Sequence, residues 1–474
     1  MTKDQKIIGK LIERARNAQV QIEHYSQEQI DEVCLSVGWQ VYNDKNIQAC
    51  AKIAVEETGM GNYKDKITKH KVKVLGVVSS IKGQKSVGVI EHDKEKKITK
   101  YAKPVGVVGA LIPVTNPTAT PASNAVSILK GRNAVIFAPH PKAKRSCKLV
   151  CDLMREGLRK VGAPQDLIQY IEEPTVELSQ ELMRQVDLVL ATGGAAMVKA
   201  AYSSGTPAYG VGAGNPVIIV AEDADIEDTA KKIYISKTFD YATSCSSDNS
   251  IVIHRSIFDA MVEAFKKNGG YLCNDEERRK LEQWMWVPSK KTGKMALNPK
   301  VIAVSAVKIA FDAGIDIADD TSMLMVMGKN PGEDRFSGEK LSPVMALWKY
   351  ENIYDAIDCT VKLTEYSGIG HSWGIYTFNH DYIDKVSMAA KTSRIMVRQP
   401  QAPANGGNFF NGMPSTVTLG CGTWGGNITT ENITWKHFIN VTWVSEPFEP
   451  NKPTDKEMWG EYWRKYGKGL RNPK

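Results

Sequence analysis

The stretch VGVVGALIPV, residues 105–114, is continuously apolar and rich in β-branched side chains. A run of this kind has no polar face, and it is typical of a strand that is buried on both sides in a parallel sheet covered by helices. It ends at Thr115 and Asn116, just before a helical pattern. We therefore predict an α/β protein.

Short apolar runs and amphipathic segments alternate after this stretch. Such alternation predicts a doubly wound sheet of the nucleotide-binding type. Two helices open the chain, because Ser26 and Gln29 form a capping-box pattern ahead of the second one. The further predicted elements are strands at 134–139, 167–171, 186–191 and 217–220 and helices at 142–161, 176–184 and 195–203.

A second alternating series begins near Ile251 and predicts a second sheet, with strands at 323–327, 344–350, 374–378 and 394–397. We expect three domains. They are a nucleotide-binding domain over residues 1–236, a catalytic domain over 237–425, and an oligomerisation strand with a tail over 426–474.

Two segments fit neither sheet. Residues 85–103 alternate around a charged centre and predict an exposed β-hairpin, and residues 437–444 predict a late strand. Both are suited to pairing with another subunit, and an ordinary surface ribbon is an equal alternative. We expect a homodimer or a homotetramer.

Composition limits the functional classes. The chain has 474 residues, 42% of them hydrophobic and 24% charged, which is ordinary for a globular protein of two large domains. No apolar run approaches the roughly 20 residues that span a bilayer, and the N terminus lacks a signal-peptide pattern. Eight scattered cysteines indicate reduced thiols. We therefore expect a cytoplasmic protein without a membrane partner.

The net charge of +8 favours anionic small molecules. Because the cations are spread along the chain, we expect no nucleic-acid partner. Aromatic and basic residues alternate over 463–468, and a solvated or subunit-contacting tail explains them better. The histidines lack companions at metal-ligand spacing, so no metal site is expected.

Cys245 lies in the small polar stretch YATSCSSDN, residues 241–249, between a helix and a strand. A thiolate is a strong nucleophile, and aldehyde oxidation needs a nucleophile whose adduct can expel hydride. A small buried apolar cysteine is the ordinary alternative. The polar neighbours favour the nucleophile.

Two further polar residues and two glycine clusters complete the pattern. Asn116 could donate a hydrogen bond to an oxyanion, or act only as a turn residue before Pro117. His371 could serve as a neutral base for an incoming thiol, or as a structural histidine. The clusters at 192–194 and 210–214 border strands and suit either a phosphate or a tight turn, but they match no dinucleotide fingerprint.

Together these segments resemble the aldehyde dehydrogenase superfamily, in particular its CoA-acylating branch and, within it, the acylating sulfoacetaldehyde dehydrogenases. The resemblance runs from about residue 5 to residue 445 and implies a variant Rossmann cofactor domain, an α/β catalytic domain and a β-hairpin oligomerisation element. It rests on Ile112–Asn116, AVIFAPHP at 134–141, Gly210–Pro216, Cys245, EKLSPV at 339–344 and LGCGTWGGN at 419–427.

The resemblance also implies roles for individual residues. Cys245 would be the nucleophile, with Asn116 and the Cys245 backbone amide as the oxyanion hole. NAD or NADP would be the cofactor and coenzyme A the co-substrate. The cofactor would be bound by Thr115, Pro139, His140, Thr192, Gly193, Gly194, Gly212, Glu339 and Leu341.

One departure from the hydrolytic branch has a chemical consequence. The glutamate that activates water in that branch is replaced by Gly210. Without this carboxylate, an acyl group on Cys245 should persist until a better nucleophile such as the CoA thiol arrives. The resemblance therefore predicts oxidation of a short aldehyde, with sulfoacetaldehyde preferred, to its CoA thioester.

Several alternatives stay open. Arg398 is a candidate partner for a sulfonate or only a surface residue, so acetaldehyde and other short aldehydes are also candidate substrates. Lys142, Lys144 and Arg145 would tolerate the 2′-phosphate of NADP. A hydrolytic dehydrogenase and a catalytically inactive assembly scaffold are the rival functions.

Overall fold

The computed structural model describes residues 2–289 and 293–469. The apolar run at 105–114 forms a strand over Val107–Ile112 in which every residue is buried. Parallel strands flank it on both sides. The predicted α/β class is therefore confirmed.

Within the described residues the chain forms sixteen α-helices. The second begins at the predicted capping box, in which Ser26 and Gln29 each accept a hydrogen bond from the other's backbone N–H. The helices are α1 (Lys3–Ile22), α2 (Gln27–Gln40), α3 (Asp44–Thr58), α4 (Tyr63–Ile81), α5 (Ala119–Lys130), α6 (Lys144–Lys160), α7 (Val176–Gln185), α8 (Ala195–Tyr202), α9 (Ile226–Thr238), α10 (Phe258–Lys267), α11 (Asp275–Met285), α12 (Ala306–Asp312), α13 (Ile353–Tyr366), α14 (His380–Ala389), α15 (Gln401–Ala404) and α16 (Asp455–Tyr466).

Seventeen strands in the same ranges form four sheets. They are β1 (Gly88–Asp93), β2 (Ile98–Pro104), β3 (Val107–Ile112), β4 (Ala134–Pro139), β5 (Ile168–Tyr170), β6 (Leu188–Thr192), β7 (Ala208–Val211), β8 (Val217–Val220), β9 (Ser250–His254), β10 (Gly270–Leu272), β11 (Trp286–Pro288), β12 (Met295–Leu297), β13 (Met323–Met327), β14 (Val344–Tyr350), β15 (Trp373–Tyr376), β16 (Ile395–Val397) and β17 (Ile439–Ser445).

The first large sheet has the strand order β5-β4-β3-β6-β7 and is parallel throughout. The first strand of this sheet in the sequence is β3, which lies at its centre. The next strands, β4 and β5, lie on one side of β3, and β6 and β7 lie on the other side. The crevice between the carboxyl ends of β3 and β6 is therefore the switch point where ligands bind in such sheets. Residues 113–116 and 193–194 lie at this point.

The second large sheet, β10-β13-β14-β9-β8-β15-β16, is also parallel. Its side chains alternate between two separate cores, as in β8, where Val217 and Ile219 face one core and Ile218 and Val220 the other. The strand at 217–220 was expected in the first series, and that expectation is wrong. Burial on both faces fits either sheet, so the apolar pattern does not show to which of the two sheets this strand belongs.

The domain limits 1–236, 237–425 and 426–474 remain predictions.

The predicted hairpin at 85–103 consists of β1 and β2, and the late strand is β17. β17 pairs antiparallel with β2 of the same chain, so that Ile439 lies opposite Pro104. Val441 and Trp443 on this strand are exposed. In the described ranges, no helix has the length and apolar character needed to cross a membrane.

Candidate active site

A cavity of about 600 Å³ lies where the carboxyl ends of β3 and β6 meet the loops that precede β9 and β14. Two large sheets thus bring together residues that are far apart in the sequence. Of the predicted site residues, the cavity wall contains Cys245, Asn116, Thr115, His140, Thr192, Gly193, Gly194, Gly212, Glu339 and Leu341. Pro139 ends β4 and is buried next to His140, outside the wall.

Cys245 occupies the loop between α9 and β9. The loop turns at Ser244, whose carbonyl accepts a hydrogen bond from the backbone N–H of Ser247 at 3.0 Å, and the thiol is half-buried at the cavity wall. A β-carbon at Gly214 would lie 2.1 Å from the Cys245 carbonyl oxygen. Glycine is required at 214 because the two backbone segments touch.

His371 lies behind Cys245 and is fully buried. Its Nε2 is 3.3 Å from the Cys245 sulfur. Its Nδ1 is 2.9 Å from the Ser372 hydroxyl, which also accepts a hydrogen bond from the Asn405 amide at 2.9 Å. These contacts fix the imidazole ring and place a basic nitrogen within reach of the thiol, an arrangement that suits thiol-dependent acyl transfer.

The resting pair is neutral. Burial raises the pKa of the Cys245 thiol to about 12, and the negative charge of Glu339 acts in the same direction. Burial also lowers the pKa of His371 to about 3, with a smaller contribution from the Arg394 guanidinium. The proton therefore stays on sulfur, and the imidazole is an unprotonated acceptor.

A neutral pair predicts the pH dependence of alkylation at Cys245. Only the thiolate reacts, and its fraction grows as the pH approaches the raised pKa, so the rate with iodoacetamide should rise about tenfold per pH unit from about pH 7 to pH 10. Peptide mass spectrometry of quenched samples measures the rate at this residue. A rate that levels off near neutral pH would indicate a thiolate–imidazolium pair instead.

Asn116 follows β3 and lines the cavity. Its Oδ1 accepts a hydrogen bond from the Lys69 ammonium group at 2.9 Å. Because an ammonium group only donates, this contact fixes which end of the amide is oxygen. Among the described residues the amide nitrogen has no protein partner, so it is free to donate into the cavity. That is the property an oxyanion donor needs.

A buried ion cluster holds the segment that precedes Cys245. Asp240, Tyr241 and Ala242 have φ values of 54°, 51° and 58°, a left-handed conformation that costs roughly 1–2 kcal/mol per non-glycine residue. The Asp240 carboxylate contacts Lys66 at 2.9 Å and Lys69 at 2.5 Å. Although burial opposes ionisation, these two ammonium groups lower the pKa of Asp240. The cluster thus stabilises the turn that positions the thiol.

Another part of the cavity wall fits a nucleotide. Glu339 has a buried Oε1 without a hydrogen-bond partner, which suits a ribose hydroxyl. Gly194 precedes α8, whose N terminus has no side-chain cap, and no atom would lie within 4 Å of a β-carbon at this glycine. Free backbone N–H groups at a helix N terminus attract phosphate. The arrangement suits a nucleotide although the usual glycine fingerprint is absent from the sequence.

The family model of the aldehyde dehydrogenase family matches residues 1–274. The chain is also 61% identical over 454 residues to a sulfoacetaldehyde dehydrogenase from Acholeplasma sp, covering 96% of this chain and 93% of the relative. The chain belongs to the aldehyde dehydrogenase family. An acylating sulfoacetaldehyde dehydrogenase from Bilophila wadsworthia is 56% identical over 464 residues, covering 98% of this aldehyde dehydrogenase and all of the relative.

Solved structures of the family have the same fold. An acetylating aldehyde dehydrogenase from Geobacillus thermoglucosidasius matches with a TM-score of 0.91 at 36% identity, over 95% of this chain and 99% of that one. A propionaldehyde dehydrogenase from Rhodopseudomonas palustris, solved with bound propionyl-CoA, matches with a TM-score of 0.83 at 27% identity, over 93% and 94%. The predicted aldehyde dehydrogenase-like fold is therefore confirmed.

Arg398, the predicted sulfonate partner, is not part of the cavity wall. Its guanidinium donates to the carbonyl of Thr377 and stacks over the Phe378 ring at 4.5 Å. The structure therefore does not bring Arg398 to the thiol of this aldehyde dehydrogenase. Its role as a sulfonate partner stays a prediction, with the surface residue as the alternative.

Gly210 lies in β7 and is closely packed. A β-carbon there would lie 2.7 Å from Val198 Cγ1 and 2.8 Å from Tyr202 Cε2, and the Tyr202 hydroxyl accepts a hydrogen bond from the Gly210 N–H at 3.0 Å. Neighbouring side chains thus fill the space that a glutamate at 210 would enter. No water-activating carboxylate can occupy this position without displacing Tyr202.

Sequence analysis missed the lysines of α4. Lys66, Lys69 and Lys73 recur at spacings of three and four residues, so they share one face of the helix. Lys66 and Lys69 are buried, whereas Lys64 on the same helix is exposed. A signal for them is present in the basic stretch 64–73, where the lysines at 66, 69 and 73 recur with the period of a helix. This period places all three on one face of α4, and that face points inward.

Proposed function

We propose that this aldehyde dehydrogenase oxidises a short aldehyde to its CoA thioester, with sulfoacetaldehyde as the substrate and NAD or NADP as the oxidant. One observation carries the proposal. The Cys245 sulfur lies 3.3 Å from Nε2 of His371, in a cavity that also contains the Asn116 amide. A nucleophile, a neutral base and an oxyanion donor are the groups that acyl transfer through a thioester uses.

In the overall reaction, the aldehyde, the oxidised nucleotide and CoA give acyl-CoA, the reduced nucleotide and one proton. The Cys245 sulfur adds to the aldehyde carbon while its proton passes to Nε2 of His371. The Asn116 amide and the Cys245 backbone N–H stabilise the oxygen anion that forms. A nucleotide bound in the cavity would supply the hydride acceptor, and Cys245 would then hold the acyl group as a thioester.

Residues of the first sheet and of the loop before β14 would bind the nucleotide. The unpaired Oε1 of Glu339 would accept from the nicotinamide ribose. Thr192, Gly193 and Gly194, together with the turn at Pro139 and His140, would border the pyrophosphate and the adenosine. The free N terminus of α8 supports this placement.

The position of Lys144 bears on NADP. Its ammonium group is paired with Glu173 at 2.6 Å, and the backbone N–H groups of Arg145 and Ser146 donate to Glu57 at 2.8 and 2.7 Å. Of the three cations considered for a 2′-phosphate, Lys144 is thus already paired with a carboxylate. Parallel assays with NAD and NADP measure the preference.

CoA accepts the acyl group in the second half of the reaction. His371 first releases to solvent the proton that it took from Cys245, which is the proton of the overall reaction. The CoA sulfur then adds to the acyl carbon, its proton passes to His371, and the Cys245 sulfur leaves and takes that proton back from the imidazolium. Water is a poor competitor, because Gly210 offers no carboxylate and Tyr202 fills the neighbouring space. The bound propionyl-CoA of the Rhodopseudomonas palustris relative supports CoA as the co-substrate.

The test is product formation with and without CoA. With CoA we expect continuous turnover. Without it we expect one equivalent of reduced nucleotide per active site and an acyl-sized mass increase on Cys245, measured by stopped-flow absorbance and peptide mass spectrometry. Continuous release of the free acid without CoA would support the hydrolytic alternative, and the absence of any adduct would support an inactive scaffold.

Sulfoacetaldehyde is proposed because the relatives at 61% and 56% identity carry that substrate in their names. Acetaldehyde is the second candidate, favoured by the 36% identity to an acetylating enzyme. The values of kcat/KM for the two aldehydes, both measured with CoA present, distinguish these candidates.

We also propose that the sheet of β1, β2 and β17 joins subunits into a homodimer or homotetramer. β17 lies at the sheet edge with Val441 and Trp443 exposed, a surface that a partner can cover. Sedimentation of the purified protein measures the number of subunits in the assembly.

The free thiols among the described cysteines fit the reducing cytoplasm in which we expect the enzyme to act.

A further inference from the structure

We infer that Lys73 forms an anion subsite in the cavity, where its ammonium group binds the sulfonate of the aldehyde substrate. This inference rests on the proposed function, because it assumes that the aldehyde reaches Cys245 through this cavity.

Helix geometry places Lys73 in the cavity. Lys69 and Lys73 are four residues apart on α4, so both face the same side, and both line the cavity together with Cys245. The ammonium group of Lys73 and the thiol of Cys245 therefore face the same cavity.

The charge of Lys73 has no counterion in the protein. Its Nζ contacts only the carbonyl oxygens of Gly406 at 3.3 Å and Gly407 at 3.4 Å, and no carboxylate of the described residues lies within 4.0 Å. Burial, together with the positive charge of Lys69, lowers the pKa of Lys73 to about 8, which still leaves it mostly protonated at neutral pH. A cation in this environment favours an anionic ligand.

The neighbouring lysines do not share this property. Lys66 and Lys69 both contact Asp240, and Asp65 accepts the backbone N–H of Asp240 at 2.7 Å. The positive charges of Lys66 and Lys69 are thus balanced by the carboxylates of Asp65 and Asp240. The positive charge of Lys73 has no such carboxylate among the described residues, and its side chain lines the cavity.

The contacts of Lys73 favour the aldehyde over the nucleotide phosphates as the source of the anion. Its hydrogen bonds go to residues 406–407, whereas the predicted phosphate-binding residues follow β4 and β6. Sulfoacetaldehyde carries its sulfonate on the carbon next to the carbonyl. Its cationic partner must therefore lie in the same cavity as the nucleophile, as Lys73 does.

The first test compares Lys73→Met with the unchanged enzyme. Removing a charge-assisted contact should reduce the ratio of kcat/KM for sulfoacetaldehyde to kcat/KM for acetaldehyde by about 10- to 100-fold, mainly through KM for the anionic aldehyde. Lys73→Arg, which keeps the charge, should retain most of the ratio. The control Lys64→Met removes an exposed charge from the same helix and should not change the ratio.

A second measurement does not depend on catalysis. Isethionate, the 2-hydroxyethyl sulfonate, should protect Cys245 from iodoacetamide in the unchanged protein without nucleotide or CoA, and Lys73→Met should need at least about tenfold more isethionate. Protection would therefore support the subsite even if aldehyde oxidation were absent.

Two results would overturn the inference. One is an equal loss of kcat with both aldehydes in Lys73→Met, which would mean that Lys73 serves the chemistry common to all substrates. The other is isethionate protection that is the same with and without the Lys73 ammonium group. Thermal unfolding of each variant, compared with Lys64→Met, shows whether the fold is intact.

Discussion

Replacing Cys245 with alanine is expected to reduce CoA-dependent aldehyde oxidation by about 10⁴-fold or more, the scale seen when a covalent nucleophile is removed. The sulfur supplies the bond on which both halves of the proposed reaction depend. The imidazole of His371, 3.3 Å from this sulfur, would have no thiol of the protein to deprotonate in the variant. Initial rates of reduced-nucleotide formation measure the loss.

The matched control is Cys273→Ala, which removes a buried thiol outside the cavity. It should lower the free energy of unfolding by about 1 kcal/mol and leave kcat unchanged. Cys245→Ala should retain the melting temperature of the unchanged protein to within a few degrees. Substantial activity in Cys245→Ala, or an equal loss in Cys273→Ala, would refute the assignment of the nucleophile.

The fold followed from the sequence because its central strands are buried on both faces. Residues 107–112 and 134–139 are continuous apolar runs, and few structures other than a covered parallel sheet can bury such runs. The same property explains the error at 217–220. When both faces of a strand are apolar, its sequence does not indicate to which of two parallel sheets it belongs.

The sequence singled out many of the residues that line the cavity, but it did not reveal how they are arranged in space. Cys245 and His371 are 126 positions apart. They meet because they precede β9 and β15, which lie on either side of β8 at the same end of one parallel sheet. Strand order creates this proximity, and the sequence around each residue contains no information about strand order.

Buried charge was the least predictable feature. A basic stretch such as 64–73 is typical of a solvated helix face, yet its cations at 66 and 69 point inward toward Asp240. The side-chain direction of Arg398 was equally unpredictable, because this cation at a strand end contacts Thr377 and Phe378 outside the cavity wall. In both cases the direction of the side chain, which depends on tertiary packing, decided the outcome.

Asn116→Ala is expected to lower kcat by about 10²- to 10³-fold, the usual effect of removing one oxyanion donor. The oxygen anion exists only after the sulfur has added, so KM should change little. Asn116→Asp keeps the shape of the side chain but loses the donor, and it should be similarly impaired. Steady-state kinetics with saturating CoA measures all three enzymes.

The contact with Lys69 supplies the reason for this expectation and its control. Lys69 binds Oδ1 of Asn116 at 2.9 Å, so the amide nitrogen is held ready before the substrate arrives, and such preorganisation gives an oxyanion site its strength. Asn124→Ala removes a buried amide from α5 outside the cavity wall, and it should affect stability without affecting kcat. If Asn116→Ala lowered kcat no more than Asn124→Ala does, the anion would have to be stabilised by the Cys245 backbone N–H alone.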